Sequence, residues 1–237
     1  MIDKGTAFLF NGILISFFLM GCKDNNTNRS LASEPSQEIS QEAEVIEETP
    51  KGDLYPIFEW TGMHADFEDW NKYTFDGLQS LGSDLIKSRP RDVENFCPNY
   101  DFLNETQKTY FWIQLIAAMT RYESFFDPTV QYQENFKDST GEFIISRGLM
   151  QLSYESSRGY RCPISSPEDL HDAKINLQCS VKILNQWITR DGVITDKIDN
   201  GWKGGARYWA VLRSSSRIDS IQNITSDFPL CQMNGFL

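Results

Sequence analysis

The most informative part of the sequence is YESFFDP at residues 122–128, which is followed by SRGLMQ at residues 146–151. An Asp-Pro pair at 127–128 ends the helix that precedes it, so Glu123 lies in the last turn of that helix. The neighbours of Glu123 are mainly aromatic. A carboxyl group in an apolar pocket has a raised pKa and can donate a proton near neutral pH. Glu123 is therefore a candidate general acid, and the alternative is a surface carboxylate at a helix end.

The helix that carries Glu123 has a clear beginning. Asn104, with Gln107 three residues later, is a possible capping box. Apolar side chains then follow at helical spacing and predict one buried stripe, formed by Phe111, Leu115, Ala118, Met119 and Tyr122. Aromatic residues between 53 and 100 predict further short helices, and a partial helical period runs from Asp66 to Leu85.

The segment between the two motifs has a different character. Residues 130–133 and 143–145 are β-prone and flank DSTG at 138–141, which predicts a hairpin. Gly148 is expected to open a short helix, and a long helix is expected from Pro167. The last helix is predicted between Gly205 and Arg213.

Both motifs resemble those of the soluble lytic transglycosylase family. Its members share a Glu-Ser pair at a helix end, an aromatic-x-Pro exit and a Gly-Leu-Met-Gln block, and the resemblance covers about residues 105–215. It implies a mainly α (α+β) lysozyme-like domain with the small β-hairpin next to the active-site groove. It also implies cleavage of the MurNAc–GlcNAc β-1,4 bond of peptidoglycan without a cofactor. Glu123 would act as acid and then as base, giving 1,6-anhydroMurNAc ends.

The resemblance also assigns substrate-binding roles to residues other than Glu123. Ser124 would hydrogen-bond Glu123 or the substrate's acetamido group, Met150 would form an apolar wall, and Gln151 would contact sugar or backbone. Tyr208 matches the tyrosine that orients the catalytic Glu, although Trp and Val stand where the family has Asn and Gly after it. Helix-end and core-packing roles are the alternatives for the first three. A segment around Asn176 resembles the family's third block.

The charge of the chain restricts its partners. Asp and Glu number 33 against 22 Lys and Arg, so the net charge is -11, and residues 51–237 alone carry about -6. This excludes a typical nucleic-acid binder, which needs a basic face. Since peptidoglycan is itself acidic, one hypothesis is a deacetylated glycan whose amines bind Glu134, Asp138 and Glu142. Glu142 is therefore included among the predicted substrate-binding residues. The alternative is that these acids form only a solvated surface.

Two other functions remain open on the sequence. A hydrolytic lysozyme on the same fold would need a second carboxylate to activate water. A peptidoglycan-binding lipoprotein without activity would keep Glu123 as a vestige. The two histidines lie in no zinc-protease motif, so no metal site is predicted.

The first 52 residues are predicted to direct the export of the domain at 53–237 and to tether it. Residues 1–21 have the apolar core of a secretory signal, and LMGC at 19–22 resembles the lipobox of bacterial lipoproteins. Cys22 would carry the lipid, with a plain secretory signal as the alternative. Residues 22–52 are acidic and rich in Ser, Gln and Pro, which indicates a flexible tether. Lys23 after the lipobox favours the outer membrane, facing the periplasm, with the lipid as the only membrane contact.

The remaining four cysteines predict two disulfides in an exported domain. Three pairings are possible. We favour Cys162–Cys179 as a local loop and Cys97–Cys231 as a link between the two ends of the domain, and we expect a monomer.

Overall fold

The computed structural model describes residues 55–232, which form a mainly helical domain. No helix in this range is long and apolar enough to cross a membrane. The predicted signal segment, Cys22 and the tether lie outside the described residues. The α-helices of this range are α1 (Phe67–Leu81), α2 (Ser83–Lys87), α3 (Glu105–Glu123), α4 (Tyr154–Gly159), α5 (Ala173–Asp191) and α6 (Ser215–Ser226). Its strands are β1 (Gln131–Lys137), β2 (Phe143–Arg147), β3 (Leu152–Ser153), β4 (Thr195–Ile198) and β5 (Gly201–Gly204).

Helix α3 is the central helix of the domain. The predicted capping box is present, since the Asn104 side chain accepts from the Gln107 backbone N–H at 2.9 Å and the Gln107 side chain accepts from the Asn104 N–H at 2.9 Å. The single buried stripe is wrong, because residues 111–120 are all buried. Helices α1, α2 and α6 all pack against α3 and cover it on several sides. The helix ends at Glu123, as predicted.

Helix α5 forms the second support of the fold. Asp172 caps its first turn by accepting from the Ile175 N–H at 3.0 Å, and Gly192 ends it in a left-handed conformation. The helix begins at Ala173, because residues from Pro167 first form a separate 3₁₀ turn. Helix α1 packs along α5, and the two helices share the apolar core with α3.

The predicted hairpin is present and belongs to a three-stranded antiparallel sheet in the order β1-β2-β3. The helix expected from Gly148 begins only at Tyr154. Gly148 and Gln151 both have positive φ angles, of 73° and 46°, and this tight turn leads into β3 instead of a helix. The turn therefore sets Glu123, the hairpin and α4 around one space.

The helix predicted between Gly205 and Arg213 is wrong. Two 3₁₀ turns, Gly205–Arg207 and Ala210–Leu212, replace it, and they are separated by an extended residue, Trp209. The Trp209 indole N–H donates to the Met150 carbonyl at 3.0 Å, a bond that fixes this residue outside any helix. A helix that the sequence did not predict, α6, follows these turns, and β4 and β5 form a second small hairpin before them.

Both predicted disulfides are confirmed, Cys97–Cys231 and Cys162–Cys179. The first joins residues 134 positions apart and is fully buried at both ends. The Asn99 side chain donates to the Leu230 carbonyl at 3.1 Å and strengthens the same link.

Removal of the long-range disulfide is expected to destabilise the domain. In the double variant Cys97→Ala/Cys231→Ala, the unfolded chain regains the entropy of an open loop, and we expect a loss of about 3–5 kcal/mol in the free energy of unfolding. Urea denaturation followed by circular dichroism would measure it. The Cys162–Cys179 disulfide closes a loop of only 17 residues. The double variant Cys162→Ala/Cys179→Ala should therefore lose less free energy of unfolding. The reverse order would contradict the argument from loop length.

Candidate active site

A cavity of about 310 Å³ lies beside the end of α3. Its walls come from α3, the β1–β2 hairpin, the start of α4 and the segment between β5 and α6. The lining residues are Glu123, Glu134, Phe136, Ile144, Ser146, Gln151, Ser153, Ser156, Arg207, Tyr208, Trp209, Ala210 and Arg213. Charged, hydroxyl and aromatic groups therefore converge in one open depression of the size of a small-ligand site.

Glu123 is half-buried in this cavity, and its Oε1 is fully buried with no hydrogen-bond partner in the described structure. Burial raises the pKa of the Glu123 carboxyl to about 8, with a further contribution from the negative charge of Glu134. Arg213 acts in the opposite direction but does not overcome these effects. At neutral pH Glu123 is therefore protonated and has a proton to donate into the cavity.

Glu134 is the second carboxylate of the cavity. It lies on strand β1 in an irregular stretch, since the pairing of β1 with β2 shifts register between Gln133 and Lys137. Glu134 and Phe136 line the cavity, and the Ser146 hydroxyl on β2 donates to Glu134 Oε1 at 2.8 Å. This bond holds the carboxylate in place on the hairpin.

Two arginines complete the cavity. Arg207 Nε donates to Asp191 Oδ2 at 2.5 Å, and that carboxylate also accepts from the Gly204 N–H at 2.8 Å. Arg213 Nε donates to the Ala206 carbonyl at 2.7 Å, so its guanidinium is tied to backbone. The cavity thus places both signs of charge around one space.

The known proteins that resemble the chain share this domain. A family model described as the transglycosylase SLT domain matches residues 102–197. Wild-type Bd0314 DslA in its form 2 structure is 39% identical, with a TM-score of 0.73, and the match covers 76% of this chain and 100% of that one. The chain belongs to the SLT transglycosylase family. Two further structures of Bd0314 DslA, each with one Glu replaced by Gln, are equally identical, with TM-scores of 0.72 and 0.73. No curated protein is significantly similar to the chain.

Of the residues that match the SLT motifs, Ser124 and Met150 are buried, and Gln151 lines the cavity. Ser124 is buried, with its hydroxyl 3.5 Å from the Thr120 carbonyl that accepts from it. Met150 is fully buried, and its backbone N–H donates to the Asn176 side chain at 2.9 Å. Gln151 lines the cavity, but its side-chain amide donates to the Gly148 and Val130 carbonyls. These contacts support the turn, and the sugar-binding roles of the three residues remain predictions.

Tyr208 lines the cavity, and its hydroxyl accepts from the Ser153 N–H at 3.2 Å. Burial raises the pKa of this phenol, so the hydroxyl stays protonated at neutral pH. Tyr208 thus fixes β3 beside Glu123, and a direct contact that orients the Glu123 carboxyl remains a prediction.

Glu142 lies at the exposed end of the hairpin and is not among the residues that line the cavity. Its backbone N–H donates to Asp138 Oδ1 at 3.0 Å, as the Thr140 N–H does at 2.8 Å. Of the three acids proposed to bind amines, the structure brings only Glu134 into the cavity. Among the described residues, no group of His, Cys, Asp and Glu could hold a metal ion.

No role for Arg207 or Arg213 is predicted from the sequence, and the only role predicted for Glu134 is the binding of a glycan amine. Strand β1 pairs irregularly with β2 between Gln133 and Lys137, so a simple alternation of side chains does not predict which acid of the hairpin lines the cavity. Arg207 lies in the first and Arg213 directly after the second of the two 3₁₀ turns that replace the helix predicted between Gly205 and Arg213.

Loss of the Glu134 charge should lower the pKa of Glu123. A neighbouring negative charge disfavours ionisation, so Glu134→Gln makes the charged form of Glu123 easier to reach and shifts its titration below pH 8. Carboxyl ¹³C NMR titration would follow Glu123 directly, with Glu123→Gln to assign the signal. Glu168→Gln, which removes an exposed carboxylate outside the cavity, is the matched control. An unchanged Glu123 titration in Glu134→Gln would contradict the coupling.

Proposed function

We propose that this domain cleaves the β-1,4 bond between MurNAc and GlcNAc in peptidoglycan, with Glu123 as the general acid. The observation that carries the proposal is the Glu123 carboxyl at the wall of an open cavity, whose Oε1 is buried without a partner among residues 55–232 and whose pKa is about 8. A glycosidic oxygen must be protonated as its bond breaks, and a carboxyl group with this pKa holds the required proton at neutral pH.

The product depends on which nucleophile attacks C1 of MurNAc after the glycosidic oxygen has been protonated. Glu123 gives its proton to the glycosidic oxygen, the C1–O bond breaks, and the positive charge that develops on MurNAc is stabilised by the carboxylate of Glu134. The ionised Glu123 then accepts the proton of the MurNAc C6 hydroxyl as its oxygen bonds to C1. The products are a free GlcNAc end and a 1,6-anhydroMurNAc end, and Glu123 is again protonated.

A second candidate function is hydrolysis, as in a lysozyme. Glu134 favours it, because this carboxylate lines the same cavity and is positioned by Ser146. Acting as a base, Glu134 would accept a proton from water as that water attacks C1, which gives a reducing end. The two Gln substitutions in Bd0314 DslA are eleven positions apart in that protein's numbering, the same separation as Glu123 and Glu134 here.

The glycan itself is proposed to be partly deacetylated. An amine on GlcNAc would be attracted by Glu134, whereas fully acetylated sugars offer this carboxylate no cation. Deacetylation on GlcNAc leaves the MurNAc acetamido group intact, so that any assistance from this group is preserved.

Mass spectrometry of muropeptides released from sacculi by residues 53–237 tests these proposals. Anhydro ends, lighter than reducing ends by one water, are expected with wild type and should be absent with Glu123→Gln. The kind of end that wild type releases separates the two candidates, since only hydrolysis gives reducing ends, and Glu134→Gln should abolish those ends if Glu134 activates water. Acetylated and deacetylated sacculi should be compared, and equal rates would reject the preference. No product from either would favour a glycan-binding protein without activity.

We also propose that Cys22 is lipidated and holds the protein at the outer membrane, facing the periplasm. The LMGC sequence and the acidic tether at 22–52 support this proposal. Radioactive palmitate labelling of the full chain, with Cys22→Ser as control, would test the lipid. Membrane fractionation would show which membrane holds the lipidated protein. Gel filtration of residues 53–237 would test for the expected monomer.

A further inference from the structure

We infer that Arg213 binds a carboxylate on the 3-O substituent of MurNAc and so sets the direction in which the glycan lies across Glu123. The inference rests on the proposed function and names a specificity determinant for it. The carboxylate has two sources, the lactyl group of peptide-free glycan and the first acidic residue of the stem peptide.

The two arginines of the cavity differ in their available charge. Arg207 is neutralised by Asp191, which accepts from both Nε and Nη2 of its guanidinium. Asp191 is largely buried, so this pair is structural. Arg213 has no carboxylate within ion-pair distance in the described structure. It is therefore the cation of this cavity that remains available to an acidic ligand.

The guanidinium of Arg213 is also held in one place. Nε donates to the Ala206 carbonyl, and Nη2 donates to the carbonyls of Arg207 and Tyr208 at 2.9 and 3.3 Å. These bonds use one side of the group and leave the Nη1 hydrogens for a ligand, because an arginine has five donors. A guanidinium that is already oriented loses less entropy when it binds a carboxylate.

The charge of Arg213 reaches the reacting centre. Its positive charge lowers the pKa of Glu123, opposing the effect of Glu134, so all three groups share one electrostatic environment. A glycan that presents a carboxylate to Arg213 and its scissile oxygen to Glu123 would have MurNAc, and not GlcNAc, beside Arg213. This arrangement also explains how an acidic domain accepts an acidic polymer, since its groove differs from its average charge.

Binding to a protein that does not turn over tests the inference. With Glu123→Gln as background, calorimetry would compare the tetrasaccharide (GlcNAc-MurNAc)₂, the same glycan with stem peptides, and chitotetraose, which lacks the 3-O substituent. Arg213→Ala should weaken binding of at least one MurNAc glycan about tenfold, in line with a charge-assisted hydrogen bond in a half-open groove. The affinity for chitotetraose should change less than twofold.

Control variants separate a binding role from a structural one. Arg213→Lys keeps the charge and should recover part of the affinity for the MurNAc glycans. Arg217→Ala removes the same charge four residues away, where the guanidinium lies over Tyr122 and outside the cavity, and should leave the ratio between glycans unchanged. Equal weakening of all three ligands, no weakening of any, or no binding of MurNAc glycans would overturn the inference.

The identity of the glycan that depends on Arg213 distinguishes the sources of the carboxylate. If Arg213→Ala weakens binding of the peptide-free tetrasaccharide, Arg213 binds the lactyl carboxylate. If it weakens binding only of the glycan with stem peptides, Arg213 binds the peptide carboxylate. Failure of this inference is separable from failure of the proposed function, because wild type would still release muropeptides from sacculi if Arg213 had no such role.

Discussion

Glu123→Gln is expected to reduce cleavage of peptidoglycan by at least about 10³-fold, since general acid catalysis contributes about 10²–10⁴-fold and a poor leaving group depends on it fully. Glutamine has nearly the same shape as glutamic acid, so the cavity should be preserved. The release of muropeptides from sacculi, measured at pH 6 where Glu123 is protonated, would give the ratio of rates. Glu168→Gln, an exposed carboxylate outside the cavity, should retain full activity.

The same variant should be more stable than wild type at neutral and alkaline pH. Unfolded Glu123 loses its proton near pH 4.5, whereas folded Glu123 keeps it until about pH 8, so the folded state binds more protons between these values. Stability of wild type therefore falls as pH rises from about 4.5 to about 8. Glutamine does not ionise, so we expect the free energy of unfolding of Glu123→Gln to exceed that of wild type by about 1–3 kcal/mol at pH 8. This range allows for the exposed part of the side chain.

Two outcomes would contradict this account of Glu123. One is activity in Glu123→Gln near the wild-type level, which would remove Glu123 from the catalytic step. The other is a stability difference that does not shrink below pH 4.5, because the argument depends on the proton that only the wild type exchanges. Urea denaturation at pH 4 and pH 8 measures the second quantity independently of any substrate.

The helix that carries Glu123 could be predicted because its signals are local. Asn104 and Gln107 form a cap within four residues, and Asp127 before a proline marks the exit of the helix. The hairpin is equally local, since its turn residues and flanking β-prone segments lie within 17 residues. The SLT motifs added the identity of the acid, because that resemblance concerns the same short stretches.

The walls of the cavity could not be predicted in this way. Arg207 and Arg213 line the same cavity as Glu123 because the chain turns at Gly204, whose φ is 61°, and at Trp209, which is fixed by its bond to the Met150 carbonyl. Both turns depend on contacts with residues far away in sequence. The pattern of residues 205–213 alone favours a helix, and tertiary contacts override that preference.

The motif residues proved to be structural to a degree that the sequence did not show. The side chains of Gln151 and Asn176 bind backbone groups, and the Met150 N–H donates to the Asn176 side chain, so the turn at Gly148 is held against α5. A motif can therefore mark a catalytic site by specifying its support as well as its reacting groups. Gly148 is the position where this requirement is strictest.

Gly148→Ala is expected to destabilise the domain by at least about 4 kcal/mol, because it combines backbone strain with collisions in the core. Gly148 has a φ of 73°, and a Cβ there would lie 2.1 Å from the Leu170 carbonyl oxygen and 2.5 Å from Asn176 Nδ2. Neither group can move freely. Asn176 Nδ2 donates to the carbonyls of Leu170 and Arg147, and its Oδ1 accepts from the Met150 N–H. Movement would break these bonds inside the core.

Gly141→Ala is the matched control, because it separates backbone strain from collision. Gly141 also has a positive φ, of 91°, but nothing lies within 4 Å of the position that its Cβ would occupy. Strain alone should lower its stability by about 1–2 kcal/mol. Urea denaturation of both variants would show whether the larger loss at Gly148 comes from the packed turn. Equal losses would mean that the turn can shift away from Leu170 and Asn176, and Glu123 would then lie beside a more adaptable wall than the structure indicates.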